Sequence, residues 1–181
     1  MMITAYKIGK KIIILDKEAA NNLYFRHFYG KFHAIPKPKI PNIKRELELS
    51  PFDALYLMEK NIIKVLDEEN KPLSIEDLER EFVKEYENFK EVYKVYKDFR
   101  DKGYIVKSGM KFGSTFTIYK LGPGLDHAPF LVHVLPYNEK LDPIEIIRAG
   151  RLSHSVRKKF VIAFVDPEKE KSQYYIFKWL M

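Results

Sequence analysis

The stretch that decides the fold is Val92-Tyr93-Lys94-Val95-Tyr96-Lys97-Asp98-Phe99-Arg100-Asp101-Lys102-Gly103-Tyr104-Ile105-Val106-Lys107. Val92, Val95, Tyr96 and Phe99 recur at helical spacing, and Gly103 stands where a helix needs a C-terminal cap. From Tyr104 onward the period is two. The reading is a helix over about 89–102, then strands over 104–107, 115–121, 129–135, 160–166 and 173–179, with one further helix over about 143–149. A helix followed by a run of strands, rather than strict alternation, indicates an α+β unit with a mixed sheet flanked by helices.

Upstream, residues 6–16 read as a hairpin turning at Gly9-Lys10, and 17–26 as a short helix. Pro36, Pro38 and Pro41 predict an extended connector over 35–42, because each ring fixes φ and removes a donor. Ser50-Pro51-Phe52-Asp53 and Ser74-Ile75-Glu76-Asp77 each carry the signature of a helix start, with a strand over 62–66 between them. The boundary falls near residue 88. Two small domains are expected, 1–88 as a structural or assembly domain and 89–181 as the one that carries chemistry.

The chain has 181 residues, 46 % of them hydrophobic, and a net charge of +7. That excess of cations suits a polyanionic partner. Cysteine is absent, which excludes disulfides and thiolate metal sites. No apolar run approaches the ~18–20 residues of a membrane span, and the N-terminus lacks a signal-peptide core. The expectation is a soluble protein of the cytoplasm. Abundant Lys, Glu, Ile and Tyr without Cys accords with a thermophilic source.

Three polar groups stand in the strand-rich half. Tyr119 ends Phe116-Thr117-Ile118-Tyr119, His127 follows the loop Gly122-Pro123-Gly124, and Lys158 lies in the basic run Arg157-Lys158-Lys159. Tyr, His and Lys together suffice to cleave RNA without a metal or other cofactor, since the nucleophile is the substrate's own 2′-hydroxyl. The protein then supplies a base, an acid and a cation beside the crowded phosphate. Taken singly, each has a plainer reading: a rim aromatic, a loop histidine, a solvated basic face. His133, alternating with Phe130 and Val132, and His154 read as structural. Gly122-Pro123-Gly124 is no phosphate cradle, because Pro123 lacks an amide donor and no helix follows.

The combination is more specific than its members. Gly103–Gly109, Lys111-Phe112-Gly113, Phe116–Tyr119, His127-Ala128-Pro129-Phe130-Leu131-Val132-His133-Val134 and Arg151–Lys159 together resemble the archaeal tRNA-splicing endonucleases. The first half is similar in layout at Leu49–Leu57 and Lys71–Leu78. The resemblance implies Tyr119 as general base, His127 as general acid and Lys158 as the cation at the transition state. It implies precursor tRNA as substrate, cut at a bulge–helix–bulge to give a 2′,3′-cyclic phosphate and a 5′-hydroxyl. Arg151 matches an arginine that stacks on a flipped bulge base. Arg157 and Lys159 are candidate RNA contacts beside it. The family's second clamp arginine is not placed in the C-terminal stretch, whose polar residues are Gln173 and Lys178. The fold implied for the second half is that of the splicing-endonuclease catalytic domain, akin to restriction endonucleases. The family also implies an oligomer, either of this chain alone or with a non-catalytic subunit, in which an acidic turn docks on a neighbour; here that turn is 166–172.

Two rival readings use the same residues. A metal-dependent DNA nuclease of the restriction type would draw carboxylates from Glu168-Lys169-Glu170-Lys171 with Asp142 or Asp166, yet the Glu168–Lys171 run follows a proline and reads as a turn. A non-catalytic RNA-binding subunit of the same assembly would have no need of Tyr119, His127 and Lys158 together.

Overall fold

The computed structural model describes residues 1–178. The chain divides into two compact units, Met1–Glu87 and Asn88–Met181.

In the first unit the hairpin forms from β1 (Ile3–Ile8) and β2 (Lys11–Ile14), and α1 (Lys17–His27) follows. Two short strands that the sequence pattern does not signal, β3 (Lys31–Phe32) and β4 (Leu47–Leu49), extend the sheet beyond β2. α2 (Pro51–Glu59), β5 (Ile63–Leu66), β6 (Pro72–Leu73) and α3 (Ile75–Glu85) complete it, with strand order β3-β4-β2-β1-β5-β6. Both predicted helix starts are full capping boxes: Ser50 with Asp53, and Ser74 with Asp77. Each N-cap serine is worth about 1 kcal/mol. Asp53 also accepts from the Gly30 amide at 3.0 Å, so its buried carboxylate ties α2 to the turn after α1. The proline connector is bent rather than extended. Asn21 holds its far end, accepting from the amides of Asn42 and Ile43 and donating to the Ile43 carbonyl. A side chain that offers both donor and acceptor outweighs the extended preference of three prolines.

The second unit opens with α4 (Phe89–Asp101), followed by β7 (Ile105–Ser108), β8 (Phe116–Tyr119), β9 (Phe130–Pro136), α5 (Pro143–Ser155), β10 (Lys159–Asp166) and β11 (Lys171–Phe177). The sheet order is β11-β10-β9-β8-β7; β9 and β10 run parallel, and every other pair is antiparallel. A parallel pair needs a crossover, and α5 supplies it. α4 packs against β7, β9 and β10, with Tyr96 meeting Phe116 at 6.0 Å between ring centroids. On the α5 side, Leu131, Leu135, Phe160 and Ile162 form a core with Ile146, Ala149 and Val156. Tyr174 on β11 donates to Asp98 of α4 at 2.6 Å, and its phenol is pushed far up, first by burial and then by that carboxylate.

Among the predicted boundaries that shift, two have a visible cause. α5 continues through Gly150 to Ser155, because Gly150 keeps helical backbone and the Ser153 hydroxyl bonds its carbonyl at 2.8 Å. β8 stops at Tyr119 rather than Leu121, because the next three amides bond to Asp126 instead of a neighbouring strand. The last strand ends at Phe177, and Trp179 lies outside the described residues. No helix among the described residues is long and apolar enough to cross a membrane.

Candidate active site

Tyr119 is the last residue of β8, opposite Ile105 on β7 and half-buried. Burial pushes its phenol up from the ordinary range, and the nearby Asp126 charge pushes it further. The free protein therefore holds a neutral phenol at neutral pH, and the basic form grows as pH rises.

The loop from Lys120 to Pro129 closes on itself through one carboxylate. Asp126 accepts from the amides of Lys120 at 3.0 Å, Leu121 at 3.2 Å and Gly122 at 2.8 Å. Burial opposes its ionisation, but the three N–H groups outweigh that and hold the carboxyl below its usual range. His127 comes next and is exposed. The Ala128 carbonyl then accepts from the Lys158 ammonium at 3.0 Å, and the Pro129 carbonyl from the Lys159 amide at 2.9 Å.

Lys158 leaves α5 through a tight helix ending. Its own amide bonds the Ser153 carbonyl at 2.8 Å, while the Arg157 amide bonds the His154 carbonyl at 3.1 Å. This is the Schellman pattern, with Arg157 at the position that requires a left-handed backbone, φ 53°. The turn aims the Lys158 side chain back to the His127 loop and over the Phe112 ring, 5.7 Å from its centroid. Burial lowers the ammonium's pKa, and the Asp126 charge partly offsets this. Phe112 is set by a helical turn after β7 (Met110–Phe112) that only glycine permits at its start: a Cβ on Gly109 would run into the Ser114 side chain and lie 2.8 Å from its carbonyl oxygen.

The three candidate groups thus share one loop. Tyr119 enters it, His127 rides on it, Lys158 bonds it, and Asp126 acts on both Tyr119 and Lys158. Arg157 and Lys159 flank Lys158 and are exposed, with the Lys159 ammonium 5.9 Å from the centre of the Phe130 ring. Arg151 is exposed on α5, one turn before the helix ends. His133 faces the α5 side with Leu131 and Leu135, half-buried, and lines a cavity of about 300 Å³ with Phe112, Ile146, Leu152 and Phe160. His154 sits in the last turn of α5. Glu168 and Glu170 are exposed in the turn between β10 and β11, as the proline before them indicates.

Sequence reasoning passed over Asp126 and Phe112. A signal existed for the first, since an Asp beside glycines and a proline is a natural acceptor for loop amides.

The model of the tRNA intron endonuclease catalytic C-terminal domain matches residues 89–174, and that of the tRNA intron endonuclease N-terminal domain matches 3–79. The chain belongs to the tRNA intron endonuclease family. It is 46 % identical over 178 residues to a tRNA-splicing endonuclease of Hyperthermus butylicus, covering 98 % of each chain. It is 42 % identical over 180 residues to one of Saccharolobus islandicus, covering 99 % of each, and 41 % identical to that of Saccharolobus solfataricus over the same length and coverage. The α+β architecture with two small domains accords with this membership, and the catalytic-domain match spans Tyr119, His127 and Lys158.

Proposed function

We propose that this protein cleaves precursor tRNA at intron boundaries, in the cytoplasm, by attack of the 2′-hydroxyl on the adjacent phosphate. Unit 1 serves assembly and unit 2 the chemistry. Tyr119, as its phenolate, takes the 2′-hydroxyl proton, O2′ bonds to phosphorus, the bond from phosphorus to O5′ breaks, and protonated His127 gives O5′ its proton. Lys158 stabilises the extra negative charge of the five-coordinate phosphate. The products are a 2′,3′-cyclic phosphate and a 5′-hydroxyl. Arg151, Arg157 and Lys159 hold RNA, Arg151 by stacking on an unpaired base. The observation that carries the reading is the loop that joins Tyr119, His127 and Lys158 in a chain of this family.

A bulge–helix–bulge has two cleavage points, so two sites at fixed separation are expected, from four copies of this chain or from two with a second subunit. The exposed apolar edge strand β11, with Tyr175 at 50 %, Ile176 at 51 % and Phe177 at 38 % exposure, supports assembly. In the turn 166–172 the acids alternate with lysines, and Lys169 pairs with Asp166 at 3.5 Å, which dilutes its docking charge.

The test is cleavage of a bulge–helix–bulge RNA in excess EDTA with mapping of the ends, alongside light scattering of the purified protein. Cutting that survives EDTA and leaves cyclic phosphate is expected; loss of cutting, or a 3′-hydroxyl product, overturns the mechanism. A 2′-deoxy substitution at the cleaved nucleotide should leave the RNA bound and intact.

A further inference from the structure

We propose that Asp126 is a positioning residue for cleavage: its carboxylate ties the end of β8 to the loop, so that Tyr119 and His127 address one phosphate. The proposal rests on the reading of His127 as the acid.

An aspartate in a Gly/Pro loop ordinarily accepts from amides just after it, forming a local turn. Asp126 does the reverse. Its donors lie four to six residues upstream, and they are three consecutive amides. Oδ2 takes the Lys120 and Leu121 amides, and Oδ1 takes that of Gly122. The Gly122 carbonyl in turn accepts from the amides of Leu125 at 3.0 Å and Asp126 at 3.2 Å. Residues 120–126 are therefore a closed ring, and the left-handed backbone of Gly124, φ 85°, allows the tight return. The ring begins one residue after Tyr119 and ends one residue before His127.

The other side of His127 is tied as well, through the Ala128 carbonyl to Lys158 and the Pro129 carbonyl to Lys159. An exposed histidine thus sits on backbone fixed from both directions. Such a tether has a use, because a general acid must meet the leaving oxygen at hydrogen-bond distance while the base meets the 2′-hydroxyl on the far side of the phosphorus.

The chemistry of the tether calls for a carboxylate. Three converging N–H donors need two acceptor oxygens. Asparagine has one, and its amide would face an N–H donor with another. The same charge lies close enough to Lys158 to counter part of the burial that lowers its pKa, and close enough to Tyr119 to raise its phenol. Tyr119 and Lys158 are the groups on which its charge acts.

Single-turnover cleavage with Asp126→Ala and Asp126→Asn tests this directly, using two substrates: the ordinary bulge–helix–bulge RNA and one with a 5′-phosphorothiolate at the scissile bond, whose sulfur leaves without a proton. His127→Ala runs beside them. Displacing a catalytic group by about an ångström costs on the order of 10² in rate. Both Asp126 variants should lose about that on the ordinary phosphate with RNA affinity within about threefold, and both should return to within about tenfold of the unmodified protein on the phosphorothiolate. Hydrogen exchange should show faster Lys120, Leu121 and Gly122 amides with β8 and β9 protected as before. Wild-type rates on the ordinary phosphate overturn the proposal. So does a defect that persists on the phosphorothiolate while His127→Ala is rescued. If His127→Ala is itself not rescued, the acid has been misassigned, and the proposal falls with the reading beneath it. Should the alanine variant not fold, the same two rates measured on the asparagine variant decide between these outcomes.

Discussion

Arg157 offers a substitution whose effects on stability and on function should run in opposite directions. It occupies the left-handed position of the α5 ending, φ 53°, where a side chain with a Cβ costs about 1–2 kcal/mol. Glycine would remove that cost and return ~0.5–1 kcal/mol through the greater freedom of the unfolded chain. The net gain for Arg157→Gly is then about 0.5–1 kcal/mol, and the exposed arginine side chain loses little packing. For a chain of this size that raises Tm by roughly 1–4 °C in calorimetry. The same change removes a cation beside Lys158. If Arg157 meets an RNA phosphate, affinity should fall at every sequence, and the slope of log K against log salt should decrease by about 0.7–0.9. Arg157→Ala separates the two effects, keeping the left-handed cost while losing the charge: it should weaken binding equally and leave Tm where it was. A lower Tm for the glycine variant would show that the turn is held by the arginine side chain rather than strained by it. An unchanged salt slope would remove Arg157 from the RNA surface.

Lys158→Ala should lower kcat by two orders of magnitude or more with RNA affinity little changed, because the charge it meets exists only in the transition state; a near wild-type rate at saturating RNA refutes that role. On the phosphorothiolate substrate, where no acid is needed, the pH profile isolates Tyr119 and Lys158. A phenol raised above its ordinary value of about 10 gains its basic form tenfold per pH unit, so the rate should climb with unit slope. It should level where Lys158 loses its proton, below the ordinary lysine value of about 10.4. In Lys158→Ala the rate, though lower, should keep climbing through that point; a plateau retained at the same pH assigns it to another group.

Much of the second unit was legible because its signals are periodic. α4 announces itself through Val95 and Tyr96, and the five strands through alternation and their turns. What escaped was set by single side chains that bond outside the local pattern. The end of β8 depends on Asp126, six residues beyond Lys120, and period-two reading has no means to see an acceptor there. α5 runs on past Gly150, whose carbonyl accepts from the Ser153 hydroxyl, whereas helix propensity alone marks the glycine as a stop. The bend in the proline connector depends on Asn21, some twenty residues earlier. The site shows the same division. Tyr119, His127 and Lys158 are proposed from residue types in order, while Asp126 and Phe112, which hold or face them, have no motif of their own.

A carboxylate beside the proposed site for RNA phosphate poses a conflict, since like charges repel. The geometry of Asp126 resolves it. Its charge is spread over three amide donors, so little of it projects toward an arriving phosphate. What remains acts on Lys158, whose charged form burial disfavours and the proposed mechanism requires. Burial raises the Tyr119 phenol and this charge raises it further, so its activation depends on pH. One half-buried anion can therefore serve as tether and as counter-charge, and the two roles separate experimentally: Asp126→Glu would preserve the charge while lengthening the tether, and its rate on the phosphorothiolate should match the parent while its rate on the ordinary phosphate does not.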